Sequence, residues 1–335
     1  MSLRLWAATG GEGQVFYRKM TMTEYTSPLV SIGIPTYNRA NSYLRHALRS
    51  AVSQTYKNIE IIVSDNCSPD NTESVVKAFN DPRIRYYRQT ENIGPVKNRN
   101  FCVEQARGEY FVMLLDDDLI DDDFISTCMD AVKGHGEPGL VLTGARQIDS
   151  EGNVLSASHN MVGGYSIADF SLGWFDGKVP LYLCNMVFNA KRLKQLGGLY
   201  SRTNTGYEDV VACVQLAAKY GRVDIFDIKG SFRRHDNNIG DALHYSGWCE
   251  DSLYLLDVMC NVAPEHAARL RERGLAYFSV RNYNRVAAIQ SPLKRFDAYL
   301  TVYRTFGYRY SPLKFMCAKN FSRIVSFMKR EIGKS

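Results

Sequence analysis

Residues 108–118 read GEYFVMLLDDD, a short apolar segment that runs directly into three aspartates. The apolar part has the length and composition of a buried β-strand. Upstream, VSIGIP (30–35) and IEIIVSD (59–65) have the same character and are also followed by polar residues. Helical signals separate these segments, so their alternation predicts an α/β fold with a mostly parallel sheet covered by helices.

The helices between these strands have recognisable patterns. Apolar residues at i, i+3, i+4, i+7 and i+8 predict a helix after the first strand, at Leu44, Ala47, Leu48, Ala51 and Val52. Ser68 and Pro69 predict a second helix that reaches Phe79, because serine caps helix starts and proline suits the first turn. A short strand is expected over 84–88, followed by a helix from Gly94 to Ala106.

After the aspartates, strand and helix signals alternate less regularly. We expect a strand at 140–143, a hairpin over 148–155 and a strand at 183–189. Residues 156–180 are rich in Gly, Ser and aromatic residues and predict a long loop. A helix over 208–220, a strand at 223–227 and a helical region from 241 to the end complete the prediction.

Composition limits the class of protein. A chain of 335 residues with 45% hydrophobic content can bury a large core. The eight cysteines form no CxxC pair, which argues against a zinc site or a disulfide framework and favours a reducing cytosol. The longest apolar run, YFVMLL (110–115), is too short to span a membrane, so a soluble or peripheral protein is expected.

Positive charge is concentrated at the end of the chain. Residues 301–335 hold eight Lys or Arg against the single acid Glu331, within a chain of net charge +6. Interleaved apolar residues predict an amphipathic helix that either lies on an anionic membrane surface or packs on its own domain. Nucleic acid is not the expected partner, because the basic residues sit in one short tail.

The polar residues after the predicted strands are expected to meet, because ligands bind beyond the carboxyl ends of the strands in open α/β sheets. Asp116, Asp117 and Asp118, without His or Cys beside them, favour a hard divalent cation such as Mg²⁺ or Mn²⁺ over a softer metal. A solvated acidic turn is the alternative. No GxGxxG follows the first strand, which argues against a dinucleotide-binding dehydrogenase.

Six strings in a fixed order indicate a family. They are IPTYNR (34–39), VSDNCSPDNT (63–72), NIGPVKNRN (92–100), GEYFVMLLDDD (108–118), YEDVVACVQLA (207–217) and RRHDNNIG (233–240). Over residues 29–240 the chain resembles glycosyltransferase family two, of the inverting, bacterial surface-polysaccharide type. The resemblance implies a GT-A fold, a Rossmann-like mixed sheet flanked by helices, here with a helical C-terminal extension.

The resemblance also implies a division of the chain. Residues 29–118 would form the half that binds the nucleotide sugar, and residues 119–240 the half that binds the acceptor. Residues 1–28 would be an N-terminal extension, and residues 241–335 a helical region that ends in the basic tail.

The resemblance assigns the donor site to residues that follow the first strands. Tyr37 would stack on the donor base and Asp65 would hydrogen-bond its edge, while Arg99 would approach the nucleotide or the diphosphate. Without the flanking motifs, these three would read as a core aromatic, a turn former and a surface charge. The full set of implied donor contacts is Pro35, Thr36, Tyr37, Asn38, Asp65, Arg99, Asp116 and Asp117.

The acids match the DxD motif of the family. Asp118 would be the direct metal ligand, with Asp116 near the ribose or the metal. Many relatives carry a fourth acid where this chain has Leu119, so the roles within the triplet stay open. His235 lies where relatives place a histidine near the metal, although a lone histidine is more often structural.

Glu208 and Asp209 match the acid pair that supplies the catalytic base. An inverting transfer needs a base on the face opposite the departing diphosphate, and we assign this role to Asp209, with Glu208 in support. Acids at a helix start are also favoured by the helix dipole, which is the structural alternative.

The expected function is therefore metal-dependent transfer of a sugar from a nucleotide-diphosphate donor, expected to be UDP-linked, to a saccharide or lipid-linked saccharide. The enzyme would be cytoplasmic or peripheral at the inner membrane face. A nucleotidylyltransferase is the first alternative, but IPTYNRANSY (34–43) lacks its Gly-rich phosphate loop. A non-catalytic protein that binds nucleotide sugars is the second. The sequence does not decide the oligomeric state.

Overall fold

The computed structural model describes residues 27–204, 206–235 and 245–317. Three sequence predictions therefore lie partly or wholly outside the described residues. They are most of the N-terminal extension, the end of the RRHDNNIG motif and the last 18 residues of the basic tail.

The first half alternates strands and helices as expected. Strands β1 to β4 are mutually parallel, because β1 pairs with β2 and β4, and β2 pairs with β3, in parallel register. Helix α3 starts at Pro95 directly after Gly94, whose φ of 84° is readily adopted only by glycine. The elements are β1 (Val30–Thr36), α1 (Leu44–Val52), β2 (Ile59–Asp65), α2 (Thr72–Lys77), β3 (Ile84–Arg88), α3 (Pro95–Gln105) and β4 (Tyr110–Met113).

The second half makes the sheet mixed. Strand β8 lies antiparallel between β4 and β6, and β6 pairs in parallel with β9. The elements are β5 (Leu119–Ile120), α4 (Phe124–Val132), β6 (Leu140–Ile148), β7 (Val154–Ser158), α5 (Ile167–Phe175), β8 (Met186–Asn189), α6 (Ala190–Gln195), α7 (Glu208–Tyr220) and β9 (Arg222–Arg233). The sheet has nine strands in the order β3-β2-β1-β4-β8-β6-β9-β5, with β7 paired to β6.

Each face of the sheet carries its own apolar core. Along β4, Phe111 and Met113 face one core, while Val112 lies in the other, as the two-residue period of a strand requires. Helices α1 and α4 cover one face, and α3, α5 and α7 cover the other. The sheet is therefore buried on both faces, which explains why its strands are nearly continuous apolar runs.

The C-terminal region is helical, as expected, and packs on the same core as α5 and α7. It contains α8 (Tyr245–Val262), α9 (Ala267–Val286) and α10 (Pro292–Thr305). Phe278 of α9 is fully buried and contacts the rings of Trp174 and Tyr207. The helical region is thus continuous with the interior of the α/β domain.

Two predictions about the kind or the start of an element are wrong. Residues 156–180 are not one long loop, because they contain the end of β7 and all of α5. Ser166 caps α5, and nearly the whole helix is buried, so its sequence lacks an amphipathic period. Helix α2 begins at Thr72 rather than at Ser68 and Pro69, because the Ser68 N–H donates to Asp65 Oδ1 (2.9 Å) within a turn.

Candidate active site

Polar side chains gather at the edge of the sheet where the parallel strands end. Strand β1 ends at Thr36 and β2 ends at Asp65, directly opposite in the register. The three aspartates follow the adjacent strand β4. The sequence prediction that these segments meet at one edge is therefore confirmed by the strand pairing.

Asp65 is fully buried at this edge and held by its neighbours. Its Oδ2 accepts a hydrogen bond from the Tyr86 hydroxyl (2.6 Å), and Arg88 Nη1 lies 3.9 Å from the same oxygen. The Asn38 N–H donates to Ser68 Oγ (2.9 Å), which joins the β1 turn to the turn after β2. Tyr37 is 46% exposed beside this joint, so it is not a core aromatic.

The three aspartates have different partners. Asp118 is buried, and its Oδ1 accepts a hydrogen bond from the Arg233 N–H (2.9 Å), whereas its buried Oδ2 has no partner among the residues that the structure describes. Asp117 Oδ2 lies 2.9 Å from Nε2 of His235. Asp116 lies 4.0 Å from Arg39 Nε. The structure thus places His235 next to Asp117, a residue that the sequence analysis assigned only to donor binding.

Electrostatics at this cluster favour an added cation. Burial, together with the charge of Asp117, raises the pKa of both Asp116 and Asp118. Among the described residues no group of three His, Cys, Asp or Glu side chains is arranged to hold a metal alone. The free Oδ2 of Asp118 nevertheless suits a hard cation that takes its other ligands from phosphate and water, which is how Mg²⁺ commonly binds.

The second acid pair, Glu208 and Asp209, opens helix α7. This helix ends at Tyr220, and β9 starts two residues later beside Leu140, the first residue of β6. Helix α7 therefore runs back along the sheet, and its 13 residues cover roughly 20 Å. Its first turn consequently lies toward the same edge as the ends of the parallel strands.

Asp209 has the properties of a general base whose pKa lies near neutral pH. The Val210 N–H donates to its Oδ1 (2.8 Å), and the residue is only partly buried by its neighbours. Burial, and then the charge of Glu208, raises the pKa of Asp209 to about 6. A carboxylate with such a pKa is largely ionised at pH 7 and can still accept a proton.

Glu208 connects the two halves of the domain. Its Oε1 accepts a hydrogen bond from Arg99 Nη2, and both side chains are largely buried. Arg99 lies on α3, so this ion pair joins the first half to the start of α7. Arg99 is therefore not a surface charge, and Glu208 is positioned to orient its neighbour Asp209.

The loop before α7 is held by the helical region. Asp251 of α8 is fully buried, and its carboxylate accepts hydrogen bonds from the Thr203 N–H (2.7 Å) and the Gly206 N–H (3.1 Å). Tyr207 has a left-handed φ of 64°, and Arg285 of α9 donates to its hydroxyl (3.1 Å). Helices α8 and α9 thus fix the backbone that carries Asp209.

Gly206 in this loop has no room for a side chain. A Cβ there would lie 1.9 Å from a ring atom of Trp248 on α8. We expect Gly206→Ala to lower the free energy of unfolding by about 1–3 kcal/mol, because the ring or the loop must move. We also expect it to reduce the reaction rate through displacement of Asp209. Urea unfolding and initial-rate measurements test both effects.

Gly163→Ala is the matched control, because a Cβ at Gly163 would meet nothing within 4 Å. Equal stability of the two variants would contradict the tight packing between α8 and the loop.

Sequence reasoning missed Asp251, Trp248 and Arg285, which all come from α8 and α9. One signal was present in the sequence. Asp251 lies among Trp248, Leu255 and Leu256, on the apolar side of its helix, where an acid is retained only if it is hydrogen bonded.

Comparison with known proteins agrees with this geometry. The mixed α/β sheet, which carries acidic residues at one edge, has the GT-A fold. The structure of Staphylococcus aureus TarS (residues 1–349, with UDP-GlcNAc) matches 84% of this chain and 82% of that one, with a TM-score of 0.65 and 16% identity. The mannosyltransferase PcManGT from Pyrobaculum calidifontis, with GDP-Man and Mn²⁺, matches with a TM-score of 0.52 and 20% identity over 84% of this chain and 83% of that one.

Sequence comparison finds a family match. Residues 31–193, just under half of the chain, match the model described as "Glycosyl transferase family 2". The Campylobacter jejuni GalNAc(5)-diNAcBac-PP-undecaprenol beta-1,3-glucosyltransferase is 38% identical over 131 residues, which are 38% of this chain and 41% of that protein. Escherichia coli chondroitin synthase is 34% identical over 151 residues, 43% of this chain and 22% of that protein. The matches span less than half of each relative's length.

In the described parts of the chain, no helix has both the length and the apolar character needed to cross a bilayer.

Proposed function

We propose that this protein transfers a sugar from a nucleoside-diphosphate donor to a hydroxyl group of a saccharide or lipid-linked saccharide, with inversion at the anomeric carbon. The observation that carries the proposal is Asp209, a partly exposed carboxylate of raised pKa in the first turn of α7, which lies toward the edge of the sheet where the three aspartates also lie.

In this proposal Asp209 Oδ2 accepts the proton of the acceptor hydroxyl while that oxygen attacks the anomeric carbon. Arg99 holds Glu208, and Glu208 maintains the charge environment that keeps the pKa of Asp209 raised. Tyr37 lies under the base and Asp65 contacts its edge, with Pro35, Thr36 and Asn38 shaping the pocket. This set remains a proposal for the donor site.

The cation would be Mn²⁺ or Mg²⁺, with Asp118 as ligand and Asp116 and His235 as further candidates. When bound, it would neutralise the charge that develops on the departing diphosphate, so no carboxylic acid is needed at the leaving group. Asp117 and His235 form a hydrogen-bonded pair beside this position (2.9 Å).

Support for the donor class comes from the structural neighbours, one with UDP-GlcNAc and one with GDP-Man and Mn²⁺. We propose a UDP-linked donor. A saccharide acceptor, in bacterial surface-polysaccharide synthesis, is supported by the Campylobacter jejuni relative, whose name describes a lipid-linked glycan acceptor. Residues 29–118 would bind the donor and residues 119–240 the acceptor.

The decisive experiment is hydrolysis of UDP-sugars and GDP-sugars by the purified chain, with Mn²⁺ and with EDTA. We expect slow release of UDP or GDP that requires the cation, because water replaces the absent acceptor. Formation of a nucleotide sugar from a nucleoside triphosphate and a sugar phosphate, with release of inorganic pyrophosphate, would instead identify a nucleotidylyltransferase. Donor binding without turnover, even with an acceptor mixture, would identify a non-catalytic binding protein.

A cytoplasmic location at the inner membrane face is also proposed. All eight cysteines are free, as the sequence predicted, which suits a reducing compartment. Residues 301–317 of the predicted basic tail are described, and α10, which begins just before them, adds exposed residues that are both apolar and basic. Leu293, Phe296 and Leu313 are 84%, 63% and 69% exposed, and Lys294, Arg295 and Lys314 are their sequence neighbours. This combination suits an anionic lipid surface.

We expect the full chain to bind vesicles that contain phosphatidylglycerol, and to bind neutral phosphatidylcholine vesicles weakly. Replacing Leu293, Phe296 and Leu313 with glutamate should abolish sedimentation with the anionic vesicles, because it removes apolar area and adds negative charge that the anionic lipids repel. Val154→Glu with Leu155→Glu is the matched control, since these residues are exposed on β7 (60% and 56%) away from the basic segment. Equal binding by both variants would show that the C-terminal surface is not the contact.

A further inference from the structure

The ring of Tyr43 contacts two residues that hold the three aspartates. Tyr43 directly precedes α1 and is half-buried. Its ring stacks on the imidazole of His235, with centroids 5.1 Å apart and planes inclined by 27°. The Cζ of Arg233 lies 4.6 Å from the centre of the same ring, within the range of a cation–π interaction. One aromatic side chain beside α1 therefore contacts both the last residue of β9 and the residue two positions beyond it.

Arg233 and His235 contact the aspartates directly. The Arg233 N–H donates to Asp118 Oδ1 (2.9 Å), and Nε of Arg233 donates to the backbone oxygen of Asp117 (2.9 Å). His235 Nε2 lies 2.9 Å from Asp117 Oδ2. The other oxygen of the Asp118 carboxylate, Oδ2, is the one that would bind the proposed cation. The direction in which this oxygen points therefore depends on the position of Arg233.

The guanidinium group of Arg233 is restrained in more than one direction. Arg233 is 2% exposed, and its Nη1 donates to the backbone oxygens of Asp149 (2.8 Å) and Ser150 (3.1 Å). Arginine donates hydrogen bonds in the plane of its guanidinium group, which leaves the faces of the group for aromatic rings. Loss of the Tyr43 ring would let the guanidinium and the imidazole of His235 tilt, while the backbone contacts keep the segment attached.

We propose that Tyr43 is a positioning residue for the cation site. Its ring fixes the side chains of Arg233 and His235, which in turn hold the aspartates in the orientation that receives the metal. This inference rests on the proposed function, because it takes the aspartates as the site of a divalent cation. Residues that orient metal ligands commonly set metal affinity without touching the ion.

Calorimetric titration of the intact chain with UDP and GDP, at a series of Mn²⁺ concentrations and in EDTA, tests the inference. We expect Tyr43→Leu to raise the Mn²⁺ concentration needed for tight nucleotide binding about 10–100-fold, the usual effect of losing a contact that orients a metal ligand. Nucleotide binding in EDTA should not change. Tyr43→Met, a second variant without a ring, should act in the same way. Tyr43→Phe should behave as the wild type, because both contacts are made by the ring.

Amide hydrogen exchange gives a second readout, which needs no metal. In metal-free Tyr43→Leu we expect faster exchange of the Arg233 N–H than in the wild type, because the hydrogen bond to Asp118 Oδ1 opens more often. Tyr43→Phe should keep the wild-type exchange rate.

Tyr220→Leu is the matched control, because Cζ of Arg192 lies over the Tyr220 ring in a similar way (4.3 Å), but at the opposite end of α7 from its first turn. The inference is overturned if Tyr43→Leu and Tyr43→Met keep the wild-type dependence on Mn²⁺, or if Tyr220→Leu changes it equally. It is also overturned if Tyr43→Phe loses as much as Tyr43→Leu does. A wild-type chain that binds neither UDP nor GDP more tightly with Mn²⁺ would instead contradict the proposed function itself.

Discussion

Replacing Asp209 with asparagine is expected to lower the rate of sugar transfer by about 10²–10⁴-fold, the contribution that a general base typically makes. Donor affinity should stay nearly unchanged, because asparagine keeps the shape of the side chain and its amide oxygen can still accept the hydrogen bond from the Val210 N–H. Initial rates with a fixed acceptor mixture, together with calorimetric donor binding, separate the two effects.

The pH dependence gives an independent readout of the same group. Because Asp209 acts in its ionised form and its pKa is raised to about 6, kcat/KM of the wild-type chain should fall as the pH drops below about 6. The variant should lose this acid limb. Normal turnover by Asp209→Asn, or an unchanged acid limb, would contradict the assignment of the base.

The same substitution should change the stability of the folded chain in a predictable direction. The folded-state pKa of Asp209 lies above its ordinary value of 3.8, so the charged carboxylate destabilises the folded chain above about pH 6, and this effect disappears below about pH 4. Asp209→Asn should therefore have a higher Tm than the wild type at pH 8 and the same Tm at low pH. A gain in stability with a loss of activity would show that the variant is inactive although it is folded.

Replacing Asp118 with asparagine is expected to remove the metal dependence of donor binding and to lower transfer to background. The asparagine amide can keep the hydrogen bond from the Arg233 N–H, so the fold is retained, but it supplies no charge to a divalent cation. Calorimetric titration of the variant with UDP or GDP, in the presence of Mn²⁺ and in its absence, measures how far the cation still strengthens nucleotide binding.

Asp122→Asn serves as its control, because Asp122 is an exposed acid four residues further along the chain. If Asp118→Asn still binds the nucleotide more tightly with Mn²⁺ than with EDTA, Asp118 is not the metal ligand. If Asp122→Asn shows the same loss, the effect comes from general negative charge rather than from the buried carboxylate.

The elements that position the acids could be predicted from the sequence. Helix α7 covers residues 208–220, as the sequence predicted, because two acids open it and Gly221 ends it with a positive φ of 76°. The hairpin between β6 and β7 was also predicted correctly from Gly152 and Asn153. In both cases a local rule and the tertiary structure favour the same answer.

Helix α5 could not be predicted, for a physical reason. Its residues Trp174 and Phe175 pack on Tyr277 and Phe278 of α9, and seven of its nine residues are buried, so no polar face marks its period. Strands β6 and β9 are longer than predicted, because they continue beyond the apolar segment as partners of each other. Such pairing depends on residues that are far apart in the sequence, so no local pattern predicts it.

The contacts that organise the site were equally hidden. The ion pair between Arg99 and Glu208 joins residues 109 positions apart, and no motif indicates that they meet. Asp251 and Arg285 support the loop before α7 from a region that follows the recognised motifs. Family motifs therefore predicted which acids lie at the edge of the sheet, whereas the residues that hold them in place required the fold.

The most direct test of the account is a crystal structure of Asp209→Asn with Mn²⁺ and an intact UDP-sugar or GDP-sugar, whichever binds. We expect the cation between Asp118 and the diphosphate, with residue 209 facing the anomeric carbon from the side opposite the departing diphosphate. A donor bound elsewhere, or residue 209 on the same side as the diphosphate, would contradict the proposal that these strand ends and the start of α7 form one site of inverting sugar transfer.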